Sequence, residues 1–207
     1  LKEKGESTLG GISVWYDFEV NRINVDSKGI YLGEFHNGDK ILVIRKSGEY
    51  YLSSFDLSNH FEDDILLIEK FNPNKVFSLV YFDADTKFYY LKRFIFEPTE
   101  KKTNFVDENL NSKLVLLTGE KRPQIKLTFN NKKKSSEIID VEKFIAVKSF
   151  RAKGKRLSTH EIAEIIEEEP LPETIDDNNI VENPIIIEET DNISDSSSKK
   201  PIQTTLF

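Results

Sequence analysis

Between residues 9 and 157 apolar positions either alternate with polar ones or gather in short runs rich in Val, Ile, Tyr and Phe, and turn residues separate the runs. A period of two with breaks at Gly, Asp and Asn is the mark of short strands. GISVWYDF (11–18), KILVIRKSGEYYL (40–52), SLVYFDADTKFYYLKRF (78–94) and SKLVLLTGEKRPQIKLTF (112–129) show it most clearly. The last three predict hairpins, with turns at Lys46-Ser47-Gly48, Asp83-Ala84-Asp85 and Gly119-Glu120-Lys121. Gly48 and Gly119 supply positive φ at low cost.

The strand pattern also repeats. YYL at 50–52, YYL at 89–91 and IKL at 125–127 mark one series; YLGEF (31–35), LIEKF (67–71) and AVKSF (146–150) mark a second. Repeating units of about four strands predict blade-like sheets in a partial ring or open array. The expected fold class is therefore all-β, and residues 1–160 form the blades. Blade edges left without a neighbour call for partners. A chain that begins Leu-Lys-Glu-Lys with no methionine anywhere reads as part of a longer protein.

The pattern changes after Thr159. Ser158-Thr159-His160-Glu161 has the form of a capping box, and Ile162, Ile165 and Ile166 suit one face of a short helix over 161–169; a closing strand suits the same residues. From Pro170 to Phe207 the chain is dominated by Pro, Asp, Asn, Glu and Ser, which predicts a disordered acidic tail.

Charge divides along the same line. The formal net charge is −7, yet residues 1–160 carry about +4 and residues 161–207 about −11. A basic body with an acidic tail points to a polyanionic partner. The densest basic stretch is FIAVKSFRAKGKRLST (144–159), where Lys148, Arg151, Lys153, Lys155 and Arg156 occur with no acid among them and Gly154 lets the backbone bend. Further pairs lie at Arg45-Lys46, Lys92-Arg93, Lys101-Lys102 and Lys121-Arg122, and a triplet at Lys132–Lys134. If the blades stand side by side, these cations form a belt suited to the DNA backbone, which carries a charge about every 1.7 Å of duplex axis. Phosphate contacts of this kind position a duplex without reading its sequence.

Other chemistries find little support. With no cysteine there is no disulfide or thiolate metal site, and a reducing cytoplasm fits. No apolar run has the length of a membrane span. His36, His60 and His160 are far apart and match no metal spacing. Asp83 and Asp85 sit where a turn wants acids. Gly10-Gly11 precedes a strand and makes no phosphate loop. Trp15, Tyr16 and Phe18 suit a β core.

LKEKGESTLGGISVWYDFEVNRINVDSKGIYLGEF, GDKILVIRKSGEYYLSSFDLSNHFEDDILLIEKF, FYYLKRFIFEP and IDVEKFIAVKSFRAKGKRLS together resemble the C-terminal domain of the gyrase A and topoisomerase IV A family, in the form found in Bacteroidetes-type bacteria. The resemblance covers about residues 1–170. It implies a β-pinwheel, in which neighbouring blades exchange strands, and a basic perimeter that holds and bends the transported duplex near the nucleoid. In the parent enzyme it implies ATP, magnesium, a partner B subunit and a cleaving tyrosine upstream, with no cofactor in this segment. The terminal PIQTTLF resembles a sliding-clamp docking motif through Gln203, Leu206 and Phe207. A protein-interaction scaffold acting through the tail is the competing reading.

Overall fold

The computed structural model describes residues 10–172. Those residues belong to a compact unit spanning 1–173; the remainder, 174–207, and with it nearly all of the expected acidic tail, lies outside the described residues. The described chain is all-β, built from small antiparallel sheets of three or four strands with one short helix.

The first sheet holds β1 (Ile12–Asp17), β2 (Arg22–Asn24) and β3 (Ile30–Phe35) in the order β2-β1-β3. The second holds β4 (Ile41–Arg45), β5 (Glu49–Ser53), β6 (Ile65–Lys70) and β9 (Thr103–Asn104) in the order β6-β4-β5-β9. The third holds β7 (Val76–Asp83), β8 (Phe88–Ile95), β10 (Lys113–Thr118) and β13 (Lys155–Arg156) in the order β10-β7-β8-β13. The fourth holds β11 (Gln124–Phe129), β12 (Glu137–Asp140) and β14 (Ile162–Glu168) in the order β12-β11-β14. Helix α1 (Val141–Phe144) follows β12.

One rule generates this topology. Each sheet starts as a hairpin and is closed on one side by a return strand: β3, β6, β10 and β14. On the other side of the first three sheets the chain lends a short extended segment from beyond the next hairpin; among the described residues nothing pairs with the outer edge of β12 in the fourth. Thus β9 pairs with β5 (Glu49↔Asn104) and β13 with β8 (Lys155↔Leu91), while His60 forms a single bridge to Arg22 beside β2. Strands are exchanged between neighbours in the manner of a pinwheel.

Each lent segment then plants an apolar residue. The amides of Phe61, Phe105 and Leu157 donate to the carbonyls of Asn21, Gly48 and Tyr89 at 3.0, 3.0 and 2.9 Å. Their side chains are 2%, 1% and 6% exposed, each within a core that lies between two sheets. Phe61 closes the core around Tyr16 and Val43, Phe105 the one around Tyr50 and Phe94, and Leu157 the one around Leu91 and Leu127. The cores thus bind sheet to sheet, and the lent segments seal them.

The first two predicted hairpins form. Lys46-Ser47-Gly48 turns between β4 and β5 with Gly48 at φ +86°, and the turn after Asp83 joins β7 to β8. The predicted hairpin at Gly119-Glu120-Lys121 does not. That stretch crosses from the third sheet to the fourth, and the real hairpin joins β11 to β12 around 130–136. IKL at 125–127 therefore sits in a first hairpin strand, whereas both YYL triplets sit in second strands. AVKSF lies in a loop, unlike YLGEF and LIEKF, which lie in return strands. Two apolar runs around a turn look alike whether the turn closes a hairpin or starts a new sheet. Pro123, buried and without an N–H, marks the start of the new one.

Of the two alternatives for 161–169, the closing strand forms, as β14 over Ile162–Glu168. Register slips by one residue between Thr128↔Glu164 and Phe129↔Ile162, so a bulge at Ala163 puts Ile162 and Ile165 on the same face. That bulge produces the three-residue apolar spacing that mimics a helix. Ser158 caps no helix; its hydroxyl accepts from the His160 amide at 3.0 Å.

Two groups fasten the long lent loop to the third sheet. Lys153 Nζ lies 2.5 Å from Asp83 Oδ2, and the Asp83 side chain is fully enclosed. Burial alone would push the Asp83 carboxyl up; the Lys153 ammonium and the amides of Asp85 and Thr86 outweigh it and hold it at about 2. Because the folded value is below the unfolded one, this contribution is present above about pH 4 and is lost as pH falls toward 2. Asp83→Asn should therefore lower the urea midpoint at pH 7, and its deficit against the parent should shrink as pH falls from 5 to 2. A deficit independent of pH would place the effect in the turn and not in the charge. Separately, Phe105→Ala should cost about 3–5 kcal/mol in urea unfolding. Leu110→Ala, at a residue 81% exposed, should stay within about 0.5 kcal/mol.

Candidate nucleic-acid interface

The loop from Val141 to Arg156 leaves the fourth sheet and ends on the edge of the third. Asp140 caps α1 by accepting from the amides of Glu142 and Lys143. From there the backbone is pinned at close intervals. The Lys148 amide donates to the Arg93 carbonyl at 2.9 Å, and the Phe150 ring is buried in the core between the second and third sheets. The Tyr81 hydroxyl donates to the Lys153 carbonyl at 2.7 Å. Gly154 has φ +88°, and a Cβ there would lie 2.4 Å from the Leu91 carbonyl oxygen, so only glycine fits. The loop is held in one shape before any ligand arrives.

Lys92 and Arg93, expected at the interface, lie beneath this loop. Lys92 is 4% exposed and donates to the Phe150 carbonyl at 2.7 Å, with its ammonium over the rings of Tyr81 and Phe94. Burial pushes its pKa down to about 8, against the nearby charge of Asp107. Arg93, 9% exposed, donates to Glu142 at 2.7 Å and to the Ile145 carbonyl at 3.4 Å. Adjacent residues on a strand point to opposite faces, and both faces of β8 are covered here, so both cations are enclosed. They are the supports of the loop.

Above them, Lys148, Arg151 and Lys155 are exposed and meet no carboxylate among the described residues. Several of the loop's cations rest on rings. Lys155 Nζ lies 4.2 Å from the Phe144 ring centre, Arg151 5.4 Å from that of Phe150, and Arg156, half-buried, 3.1 Å from that of Phe88. Such contacts fix the alkyl stems while leaving the charge available. Lys153 is half-exposed, over Tyr90, and is committed to Asp83.

The remaining expected cations are dispersed. Arg45 is held between Asp64 at 2.8 Å and Glu49 at 2.6 Å, and is thereby neutralised. Lys46 is exposed at the β4–β5 turn. Lys121 and Arg122 lie on the crossover between β10 and β11, where Arg122 donates to the Pro172 carbonyl. The lent segment of the second sheet carries Lys101 and Lys102 beside Glu97 and Glu100, and Lys102 is paired with Glu62. The corresponding segment in the first sheet, 54–60, has Asp56 and neither Lys nor Arg. Cations therefore do not recur at equivalent points around a belt; they concentrate on the edge of the third sheet. Gln203, Leu206 and Phe207 lie outside the described residues.

Other chemistry on the surface is accounted for by structure. The carboxylates of Asp83, Asp85 and Asp107 approach within 4.8 Å of one another, and Lys153, Asn109 and Ser112 bond them in that order. All seven tyrosines lie in strands, and burial pushes the phenols of Tyr16 and Tyr50 up to about 12, the opposite of what activates a nucleophile. No helix among the described residues is long and apolar enough to cross a membrane.

Comparison with curated proteins returns no match. The family profile described as the topoisomerase C-terminal domain of Bacteroidota matches residues 22–169, from β2 of the first sheet to the residue after β14. That span takes in the lent segments, the supporting Lys92–Arg93 pair and the whole basic loop, and the chain belongs to this topoisomerase C-terminal domain family.

Proposed function

We propose that this topoisomerase C-terminal module is a non-catalytic clamp for duplex DNA, and that the lent loop of the third sheet is its contact surface. The observation that carries the reading is the preformed loop in which Lys148, Arg151 and Lys155 face solvent with no carboxylate partner among the described residues, while Lys92 and Arg93 hold its backbone from below. Preorganised cations lose little freedom on meeting a phosphate backbone. The contacts fall on the sugar–phosphate chain, so affinity depends on salt and hardly on sequence. No recognition helix is available among the described residues: α1 has only four residues.

In this reading the duplex is the segment that the parent topoisomerase transports during relaxation and decatenation. Strand cleavage, ATP and magnesium belong to other parts of that enzyme. Smooth bending over a site of 20–30 base pairs costs roughly 1–6 kcal/mol, which phosphate contacts at low salt readily offset.

The test is a duplex-binding titration across salt concentrations with the triple variant Lys148→Ala, Arg151→Ala, Lys155→Ala. These positions replace the sequence-based choice of Lys153, whose loss would strand the enclosed Asp83 charge. The variant should bind more weakly, with its log–log salt slope reduced by about 0.9 for each contact removed. An unchanged slope would overturn the assignment of the surface. A second comparison uses unrelated duplex sequences: the loss should be the same for each, and a loss confined to one sequence would contradict backbone recognition.

A further inference from the structure

Two lent segments, that of the second sheet and that of the third, border a cavity of about 570 Å³. Small-ligand sites run from roughly 300 to 1,000 Å³. Residues 103–108 line one part of it and residues 150–153 another, and Lys92 of β8 joins them. Phe105 and Phe150 supply apolar surface. Leu110 also borders the cavity and is 81% exposed. A leucine so open gains nothing from the fold, but a ligand in the cavity would cover it.

The charges around the cavity narrow the ligand. Three cations and three acids line it, so it carries no net charge. Lys153 is committed to Asp83, and Asp85 accepts from Asn109 at 2.6 Å. Lys92 and Arg151, and on the other side of the balance Asp107 and Glu108, form no ion pair among the described residues. Lys92 is the sharpest case. It is 4% exposed, and its ammonium has three protons but one oxygen acceptor, the Phe150 carbonyl. An enclosed ammonium left short of acceptors beside a cavity is a place for a carboxylate. Its lowered pKa agrees, since burial outweighs the only charge that favours the ammonium, that of Asp107. A bare anion would meet the two free acids and a bare cation the two free bases; a zwitterion suits both. Because the Asp107 charge is felt at the Lys92 ammonium, the two poles of the site stand close together, as the poles of an α-amino acid do.

We propose that this cavity binds a free α-amino acid with a large apolar side chain, its carboxylate on Lys92 and Arg151, its ammonium on Asp107 and Glu108, and its side chain against Phe105, Phe150 and Leu110. The inference does not rest on DNA binding.

Titration calorimetry of the full chain with L-phenylalanine tests it, and saturable one-to-one binding is expected. Phenethylamine, which lacks the carboxylate, and hydrocinnamate, which lacks the ammonium, should each bind at least about tenfold more weakly, the worth of one charge-assisted contact. Arg151→Gln and Glu108→Gln, both at exposed positions, should each weaken L-phenylalanine binding. Leu110→Ala should weaken it as well and leave the urea midpoint unchanged, which separates contact from folding. L-phenylalanine should also raise the pH at which the Lys92 ammonium titrates, read by NMR. Absence of saturable binding by the parent chain, or equal affinity for the three probes, would overturn the proposal.

Discussion

Three of the four sheets described depend on an extended segment that belongs, in sequence, to the unit after them. A two-residue ladder is a small contact, but it delivers Phe61, Phe105 or Leu157 into the core between two sheets, where the apolar area is. Removing a lent segment therefore opens two things together: the strand edge of one sheet and the seal of the core beside it. Small three- and four-stranded sheets cannot bury enough surface singly, and this exchange makes neighbours thermodynamically inseparable.

The same constraint positions the cations. A lent segment runs along an outer edge, so whatever charge it bears is displayed there. On the third sheet the segment is long, and its backbone carbonyls face inward, toward Lys92 and Arg93. Two enclosed cations thus fix the geometry of three exposed ones. The arrangement has an electrostatic cost, since like charges gather on one side of the sheet; Glu142 and Asp83 offset part of it by pairing with Arg93 and Lys153. The result is a surface that remains positive and is already shaped, although the chain as a whole is acidic.

Much of this was legible in the residues. Alternation gave the strand content, Gly48 and Asp83 gave two turns, and the FRAKGKRLS stretch stood out because no acid interrupts it. What the sequence concealed has physical causes. Lys92-Arg93 and Lys101-Lys102 look the same as dipeptides, yet the first pair lies on a strand covered on both faces and the second on an exposed loop. Arg45 seemed available until the fold brought Asp64 beside it, nineteen positions along the chain. The third hairpin was misplaced because a crossover between sheets uses the same turn residues as a hairpin. The helix-like spacing of Ile162 and Ile165 arises from a bulge, and a bulge has no sequence period of its own.

The account stands on the claim that a loop lent to the third sheet is the surface that meets DNA. Amide chemical-shift mapping of the full chain, titrated with a short duplex at low salt, tests that claim most directly. The account predicts that the largest changes centre on Lys148–Arg156 and vanish at high salt. Changes centred on the first sheet, around Trp15 and Tyr31, with the loop undisturbed, would contradict it.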